Sequence, residues 1–217
     1  MYFVKQSLGT TLIGLRLKDC IILAADSQTS SGNLVTNRVA DKISILSKFI
    51  VCCRSGAAAD TQYMADCLQY EINKHFNETR QQMNIRAAAQ ILREICYKEK
   101  HLNYGFICAG WDHFNGCQIY SINQGGALFK HSFLLAGSGS IYINGFCDAN
   151  YREEMDYSQS REFIIKAISI AMNRDGSSGG VIKLCTINHN GIKKEIIIPF
   201  LKLEKIYFSK KFIDFIL

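Results

Sequence analysis

Pairs of short apolar segments alternate along this sequence with pairs of amphipathic segments of helical period. Residues 11–17 and 20–25 form the first apolar pair, and residues 43–46 and 49–53 form the second. A short polar turn separates the members of each pair, which predicts two β-hairpins, the first of which begins almost at Thr10. This alternation restricts the fold class more than any other feature of the chain.

The apolar residues change to helical spacing after the second hairpin. They recur at positions 64, 67, 68 and 72 and again from 85 to 96, and Asn84 stands where the second helix would have its N-cap. The same criteria predict strands at 104–111, 116–122 and Phe133–Ala136, helices at 141–149 and 163–171, and a last hairpin formed by 181–187 and 194–198.

Hairpins that alternate with helix pairs do not fit a βαβ pattern, but they suit two stacked sheets with helices on both outer faces. We therefore expect an α+β fold, a four-layer α/β/β/α sandwich of two antiparallel sheets. The chain has a single proline, Pro199, and no low-complexity linker, so one domain is predicted over residues 10–200.

The composition excludes several classes of protein. No apolar run approaches the roughly 18–20 residues of a membrane span, and residues 1–9 are too short and polar for a secretory signal, so we expect a soluble intracellular protein. Nine cysteines without a C-x-x-C pair do not form a disulfide framework, and we expect reduced core residues. The five histidines are scattered, so neither a metal nor a cofactor is expected.

The net charge of +6 does not by itself indicate nucleic acid, because no run of five or more Lys or Arg residues accompanies it. Solvated surface lysines are the preferred interpretation. Residues 202–211 are an exception, since four lysines there are interleaved with Ile206, Tyr207 and Phe208. We interpret residues 201–217 as a C-terminal arm for an acidic or apolar protein surface.

Thr10 follows Gly9 at the start of the first strand. A threonine hydroxyl needs a base, and an N-terminal threonine carries one in its own α-amino group, with an unperturbed pKa of about 7.7–8.0. This chemistry requires that residues 1–9 be removed. On local sequence alone, Thr10 is equally the ordinary first residue of a strand.

Three further residues fit such a site. Hairpin geometry returns Asp26 and Lys42 towards the start of the first strand, where a lysine would lower the pKa of the amine and the aspartate would compensate its burial. A plain structural ion pair remains the alternative. Gly56 ends a strand where a helix begins, so its N–H is free to bind an oxyanion, although a glycine chosen only for the turn fits as well.

Taken in order, the motifs of the chain resemble those of a proteasome beta subunit, in particular the caspase-like, beta-1 type catalytic subunit of eukaryotes. The resemblance extends essentially from Gly9 to Pro199. The motifs that carry it are Gly9-Thr10-Thr11, Ala25-Asp26-Ser27, Asn37-Arg38-Val39-Ala40-Asp41-Lys42, Cys52-Cys53-Arg54-Ser55-Gly56, Ala59-Asp60-Thr61-Gln62, Ala109-Gly110-Trp111-Asp112, Gly137-Ser138-Gly139-Ser140 and Arg174-Asp175-Gly176-Ser177-Ser178-Gly179-Gly180.

This resemblance implies the N-terminal-nucleophile hydrolase fold and a threonine endopeptidase. It makes Thr10 the nucleophile and Asp26 and Lys42 its electrostatic support, and Gly56 would supply the oxyanion N–H. It also implies autocatalytic cleavage between Gly9 and Thr10, which frees the amine. The remaining catalytic positions would form a hydrogen-bonded network beside that amine: Ser138, Asp175 and Ser178.

The resemblance further implies cleavage after acidic residues, because Arg54 would lie where the residue before the scissile bond binds and would hold a carboxylate bidentately. Without the family, Arg54 would be interpreted as a surface or structural arginine. The other implied pocket positions are Thr29, Ala40, Ser44, Ala58 and Gln62. Two residues depart from the family pattern: Ala40 stands in place of the usual threonine, and Gln28 in place of the usual arginine.

The implied partners are other proteasome alpha and beta subunits, in a twenty-eight-subunit barrel of four seven-membered rings, and unfolded polypeptides as substrates. Neither nucleic acid nor membrane is implied, and the cytoplasm and nucleus are the expected locations. A chiefly structural beta subunit is the alternative, but such a chain has no chemical reason to keep the whole catalytic set. A bacterial-type subunit or another amidohydrolase is disfavoured by the motif that contains Arg54 and its continuation.

Overall fold

The computed structural model of the chain describes residues 9–32 and 34–199. Within these ranges the chain forms twelve strands and four helices. The strands are β1 (Leu12–Arg16), β2 (Cys20–Ala25), β3 (Thr29–Ser31), β4 (Leu34–Asn37), β5 (Ile43–Ile45), β6 (Ile50–Gly56), β7 (Tyr104–Asp112), β8 (Gly116–Asn123), β9 (Ala127–His131), β10 (Phe133–Ala136), β11 (Ile182–Asn188) and β12 (Gly191–Ile197). The helices are α1 (Ala58–Thr79), α2 (Ile85–Lys98), α3 (Ser140–Asn150) and α4 (Tyr157–Arg174).

Most of the strands form two antiparallel sheets. In the described part of the chain, the first sheet has the order β10-β1-β2-β11-β12 and the second the order β5-β6-β7-β8-β9. β3 and β4 form a small separate hairpin. All the predicted hairpins and helices are therefore confirmed. The predicted pro-segment, apart from Gly9, and the predicted C-terminal arm lie outside the described residues, so those boundaries stay predictions.

Three apolar layers hold the sandwich together. Between the two sheets lies one layer, to which β1 contributes Leu12. Ile13 and Leu15 point the other way and pack against α3 and α4, while α1 and α2 cover the outer face of the second sheet. Each fully buried Leu or Ile side chain stabilises the fold by about 1.5–3 kcal/mol. The predicted four-layer α/β/β/α sandwich is confirmed.

The predicted N-cap of α2 is confirmed. The Asn84 side chain accepts a hydrogen bond of 2.7 Å from the backbone N–H of Ala87. Asp112, at the end of β7, accepts another from the N–H of Ile85 at 3.2 Å. Two of the free N–H groups in the first turn are thus satisfied, which anchors α2 to the second sheet.

Three strands of the structure have no counterpart in the sequence-based prediction, and a fourth begins earlier than predicted. The hairpin of β3 and β4 and the edge strand β9 are mostly half-buried or exposed, so they lack the apolar pattern that reveals a strand. The last strand was expected from residue 194, but β12 begins at Gly191, directly after a tight turn that its φ of 128° makes possible.

The cysteines are packing residues in this structure. All nine lie within the described residues and are free, and seven of them are buried. Burial raises the pKa of Cys108 to about 12, so its thiol stays protonated and unreactive at neutral pH.

Among the described residues, no helix is long and apolar enough to cross a membrane. No group of His, Cys, Asp and Glu side chains in those same ranges could hold a metal ion.

Candidate active site

Strand pairing brings Thr11, the residue after Thr10, beside Asp26. β1 and β2 are antiparallel with Leu12 opposite Ala25, so the residue before β1 lies beside the residue after β2. The N–H of Thr11 donates to Asp26 Oδ1 at 2.8 Å. The Asp26 carboxylate is fully buried, and its Oδ2 accepts from the N–H groups of Gln28 and Gly179 at 3.1 and 3.0 Å. These donors replace the water that a buried carboxylate loses.

Lys42 is the residue before β5, and its side chain reaches the same site beside Asp26 and Thr10. Its Nζ donates to Asp26 Oδ1 at 2.8 Å, to the Gly9 carbonyl oxygen at 3.1 Å and to Thr10 Oγ1 at 3.2 Å. These three acceptors use all the donors of the ammonium group. Burial lowers the pKa of Lys42, although the neighbouring Asp26 acts in the opposite direction.

Thr10 itself is buried, and both of its reactive atoms are engaged. The hydroxyl donates to the carbonyl oxygen of Gly9 at 2.5 Å while it accepts from Lys42. On its other side, the Thr10 N–H donates to Ser138 Oγ at 3.2 Å. The hydroxyl therefore lies beside the Gly9 carbonyl of the bond predicted to break. Lys42 Nζ donates a hydrogen bond to both the hydroxyl oxygen and this carbonyl oxygen.

The residues predicted only by resemblance are connected to the Thr10 nitrogen through Ser138. Ser138 Oγ and Ser178 Oγ each donate to Asp175 Oδ2 at 2.7 Å. Ser178 Oγ also lies 2.8 Å from Thr11 Oγ1. This network is continuous from the Thr10 nitrogen to the loop that follows α4.

Gly56 ends β6 with a φ of 113°, a conformation that a side chain would strain. A Cβ at this position would also collide with the carbonyl oxygen of Asn103. Gly56 and Thr10 line the same cavity, so the N–H of Gly56 and the Thr10 hydroxyl belong to one site. The turn and the close approach thus each require glycine here.

A cavity of about 750 Å³ opens in front of Thr10. Five of the six predicted pocket positions line it, but Ser44, which is half-buried in β5, does not. The Arg54 guanidinium donates to the carbonyl oxygen of Asp41 at 2.7 Å, while its Nε is buried without a hydrogen-bond partner among the described residues. The five lining positions are Thr29, Ala40, Arg54, Ala58 and Gln62.

Sequence reasoning missed the role of Gln28, which was noted only as a departure from the family. Its side-chain amide donates to the carbonyl oxygen of Gly176 at 3.1 Å and to Ser30 Oγ at 3.3 Å. It therefore ties the loop that carries Asp175 and Ser178 to the end of β2. No sequence signal links residues so far apart, so only the fold could have revealed this contact.

Comparison with known proteins agrees with this geometry. The family model for proteasome subunits matches residues 6–187. The chain is also 45% identical over 189 residues to a probable proteasome subunit beta type-1 of Schizosaccharomyces pombe, which covers 87% of this chain and 84% of that protein. The chain belongs to the proteasome beta-subunit family. Its fold is thus the N-terminal-nucleophile hydrolase sandwich of that family.

Other relatives of this beta subunit are similar over the same length. Proteasome subunit beta type-1 of Saccharomyces cerevisiae is 41% identical over 194 residues, 89% of this chain and 90% of the relative. Proteasome subunit beta type-6 of Dictyostelium discoideum is 40% identical over 191 residues, 88% of this chain and 89% of the relative. The matched family segment contains every predicted site residue, from Gly9 to Ser178.

Proposed function

We propose that this proteasome beta subunit is a threonine endopeptidase whose nucleophile is Thr10. The observation that carries the proposal is the position of Lys42 Nζ, within 3.1 Å of the Gly9 carbonyl oxygen and 3.2 Å of Thr10 Oγ1, on a fully buried carboxylate. A lysine with a purely structural role on the surface would not need hydrogen bonds to the Gly9 carbonyl oxygen and the Thr10 hydroxyl. In our proposal the subunit works with other alpha and beta subunits in a barrel that admits unfolded polypeptides.

Activation begins with attack of Thr10 Oγ1 on the carbonyl carbon of Gly9. The bond between this carbon and the Thr10 nitrogen breaks, the nitrogen takes up the hydroxyl proton, and an ester remains. Water then hydrolyses the ester, which releases the Gly9 carboxylate and restores the hydroxyl. Lys42 donates to the oxygen on which negative charge develops, and a donor at such a position typically accelerates a reaction about 10²–10³-fold.

Turnover of substrates follows the same pattern with the freed amine as base. The amine accepts the hydroxyl proton as Oγ1 bonds to the substrate carbonyl carbon, and the departing amine of the substrate takes that proton when the peptide bond breaks. Water then hydrolyses the ester on Thr10, which releases the first half of the substrate as a carboxylate and restores the hydroxyl. The Lys42 ammonium favours the neutral, basic form of the nearby amine. Ser138, held by Asp175, orients the amine, and the N–H of Gly56 would bind the oxyanion.

We further propose cleavage preferentially after acidic residues. Arg54 lines the large cavity with Thr10, and among the described contacts only one of the five N–H donors of its guanidinium, on Nη2, is used, by the carbonyl oxygen of Asp41. A substrate carboxylate in this cavity would accept from the remaining terminal N–H groups. Charge-assisted hydrogen bonds contribute about 1.5–3 kcal/mol each, enough for a preference of about 10–100-fold.

The test compares purified assembled particles that contain wild-type chain, Thr10→Ala or Thr10→Ser. Intact mass shows whether residues 1–9 are removed, and peptides ending in Glu, Leu or Arg measure hydrolysis. We expect removal and Glu-peptide hydrolysis in the wild type, neither in Thr10→Ala, and partial function in Thr10→Ser, which keeps a hydroxyl. Unprocessed wild-type chain in mature particles would contradict the proposal and favour a structural subunit.

Arg54→Ala in the same particles tests the specificity separately. Its matched control is Arg86→Ala, which removes an exposed arginine on α2. We expect the preference for the Glu peptide to fall about 10–100-fold in Arg54→Ala alone. An unchanged preference would refute the pocket assignment and leave the mechanism intact.

A further inference from the structure

A second, smaller cavity of about 280 Å³ borders the other side of the site. It shares only Thr10 and Gly56 with the large cavity. The rest of its wall comes from Ser55, residues 103–105 and Gly137. A ligand that spans both cavities therefore passes Thr10 and Gly56, the two residues that the cavities share.

Glycine backbone keeps this cavity open. A Cβ on Gly105 would lie 2.7 Å from Ser55 Oγ, closer than real Cβ atoms come to other atoms. Gly137 has a φ of 84°, and a Cβ there would collide with the carbonyl oxygen of Thr10. The wall beside the hydroxyl is thus formed largely by main chain, which leaves room for a substrate backbone.

The side chains of this wall carry no charge, and among the described contacts only that of Asn103 has hydrogen-bond donors to spare. The Tyr104 hydroxyl donates to the carbonyl oxygen of Cys96 and accepts from the N–H of Gly125, so it is already engaged. Ser55 Oγ donates to the carbonyl oxygen of Gly105 at 3.0 Å. The exposed Asn103 side chain makes no hydrogen bond to another described residue, which leaves two donors and one acceptor available.

We propose that this second cavity binds the substrate residue that follows the scissile bond and that Asn103 selects an uncharged, hydrogen-bonding side chain there, such as Gln, Asn, Ser or Thr. The inference rests on the proposed endopeptidase function. Acyl transfer to Thr10 separates the substrate at the hydroxyl, so its two halves lie on opposite sides of that atom. The half before the bond occupies the cavity with Arg54, and the departing amine leaves through the cavity with Asn103.

The two cavities therefore select by different chemistry. Charged residues line the large cavity, among them Arg54, Lys42 and Asp60, whereas the second offers an amide and main-chain groups. A single neutral hydrogen bond is worth about 1 kcal/mol, which corresponds to about a fivefold difference in rate. The selection after the bond is accordingly weaker than the selection before it.

The test uses assembled particles and internally quenched peptides that share a Glu before the scissile bond and carry Gln, Leu or Lys after it. Cleavage at this bond is measured by mass spectrometry, and the rate in Thr10→Ala particles is subtracted. Wild type and Asn77→Ala, which removes an exposed asparagine on α1, should cleave the Gln peptide about fivefold faster than the Leu peptide. Asn103→Ala should cleave both at similar rates, and Asn103→Asp should favour the Lys peptide.

The outcomes separate the two proposals. If Thr10→Ala leaves cleavage unchanged, the proposed function fails. If cleavage depends on Thr10 but the ratio of Gln to Leu rates is the same in wild type and Asn103→Ala, the second cavity does not select through Asn103. In that case the inference is overturned and the endopeptidase function stands.

Discussion

Two ion pairs of nearly equal length lie in opposite environments of this molecule. Lys42 Nζ is 2.8 Å from Asp26 in the buried site, and Arg161 Nη2 is 2.9 Å from Glu195 where α4 meets β12. Burial lowers the pKa of Lys42 in spite of its partner. At Glu195 the hydrogen bonds from Arg161 and Lys193 lower the pKa of the carboxyl, against the effect of burial.

The difference shows that distance alone does not tell what an ion pair does. Around Lys42, desolvation outweighs the attraction of the carboxylate, so the pair is costly and its charge is directed at Thr10 and Gly9. Around Glu195 the partners outweigh desolvation, so the pair simply favours the folded state. We interpret the pair of Lys42 and Asp26 as functional. We interpret the pair of Arg161 and Glu195 as structural, because it connects α4 to β12.

The largest effect is expected from Lys42→Met, which removes the charge with little change in volume. Asp26 would keep its three N–H donors but lose its cation, and breaking a buried pair costs about 3–5 kcal/mol of folding free energy. Removal of residues 1–9 should slow about 10³-fold, because the Gly9 carbonyl oxygen loses its donor. Intact mass of the chain over time after assembly measures this rate.

Lys74→Met is the matched control, because it removes an exposed lysine on α1. It should be processed like the wild type. Processing of Lys42→Met at the wild-type rate would show that the buried pair is structural, and the contrast with Arg161 and Glu195 would disappear.

The sequence predicted the ion pair of the site better than the hydrogen-bonded network beside the Thr10 nitrogen. Asp26 and Lys42 follow from hairpin geometry, since the register of β1 and β2 fixes where each strand ends. Ser138 and Asp175 came only from the family resemblance. Contacts such as that of Gln28 with Gly176, across 148 residues, depend on how loops pack at the edge of two sheets, and no local periodicity encodes this.

Loss of the uncharged hydrogen bonds of Gln28 should have an effect smaller than loss of Lys42 and larger than loss of the Glu195 charge. Gln28→Ala removes the hydrogen bonds to Gly176 and Ser30, worth about 1 kcal/mol, and loosens the loop that holds Asp175. We expect kcat/KM for the Glu peptide to fall about fivefold with an unchanged pH dependence, because no charge is lost. Gln82→Ala, at an exposed glutamine between α1 and α2, serves as the control.

A shifted pH profile in Gln28→Ala would mean that this residue acts on the charge of the site rather than on the loop. An unchanged rate would mean that the loop is held without it.

The smallest effect is expected at the more exposed of the two ion pairs, that of Arg161 and Glu195. Glu195→Gln keeps the shape of the side chain but removes the charge that faces Arg161, and a partly exposed pair contributes about 0.2–1 kcal/mol. Because the folded-state pKa of Glu195 lies below its usual 4.5, the contribution is present above that pH and is lost as the pH falls through the folded-state value. Urea unfolding of wild-type and variant chains should therefore differ at pH 7 and converge in acid, with processing of Thr10 unaffected. A difference that persists at low pH would show that the substitution acts through something other than the charge of Glu195, such as the hydrogen bonds of the new amide.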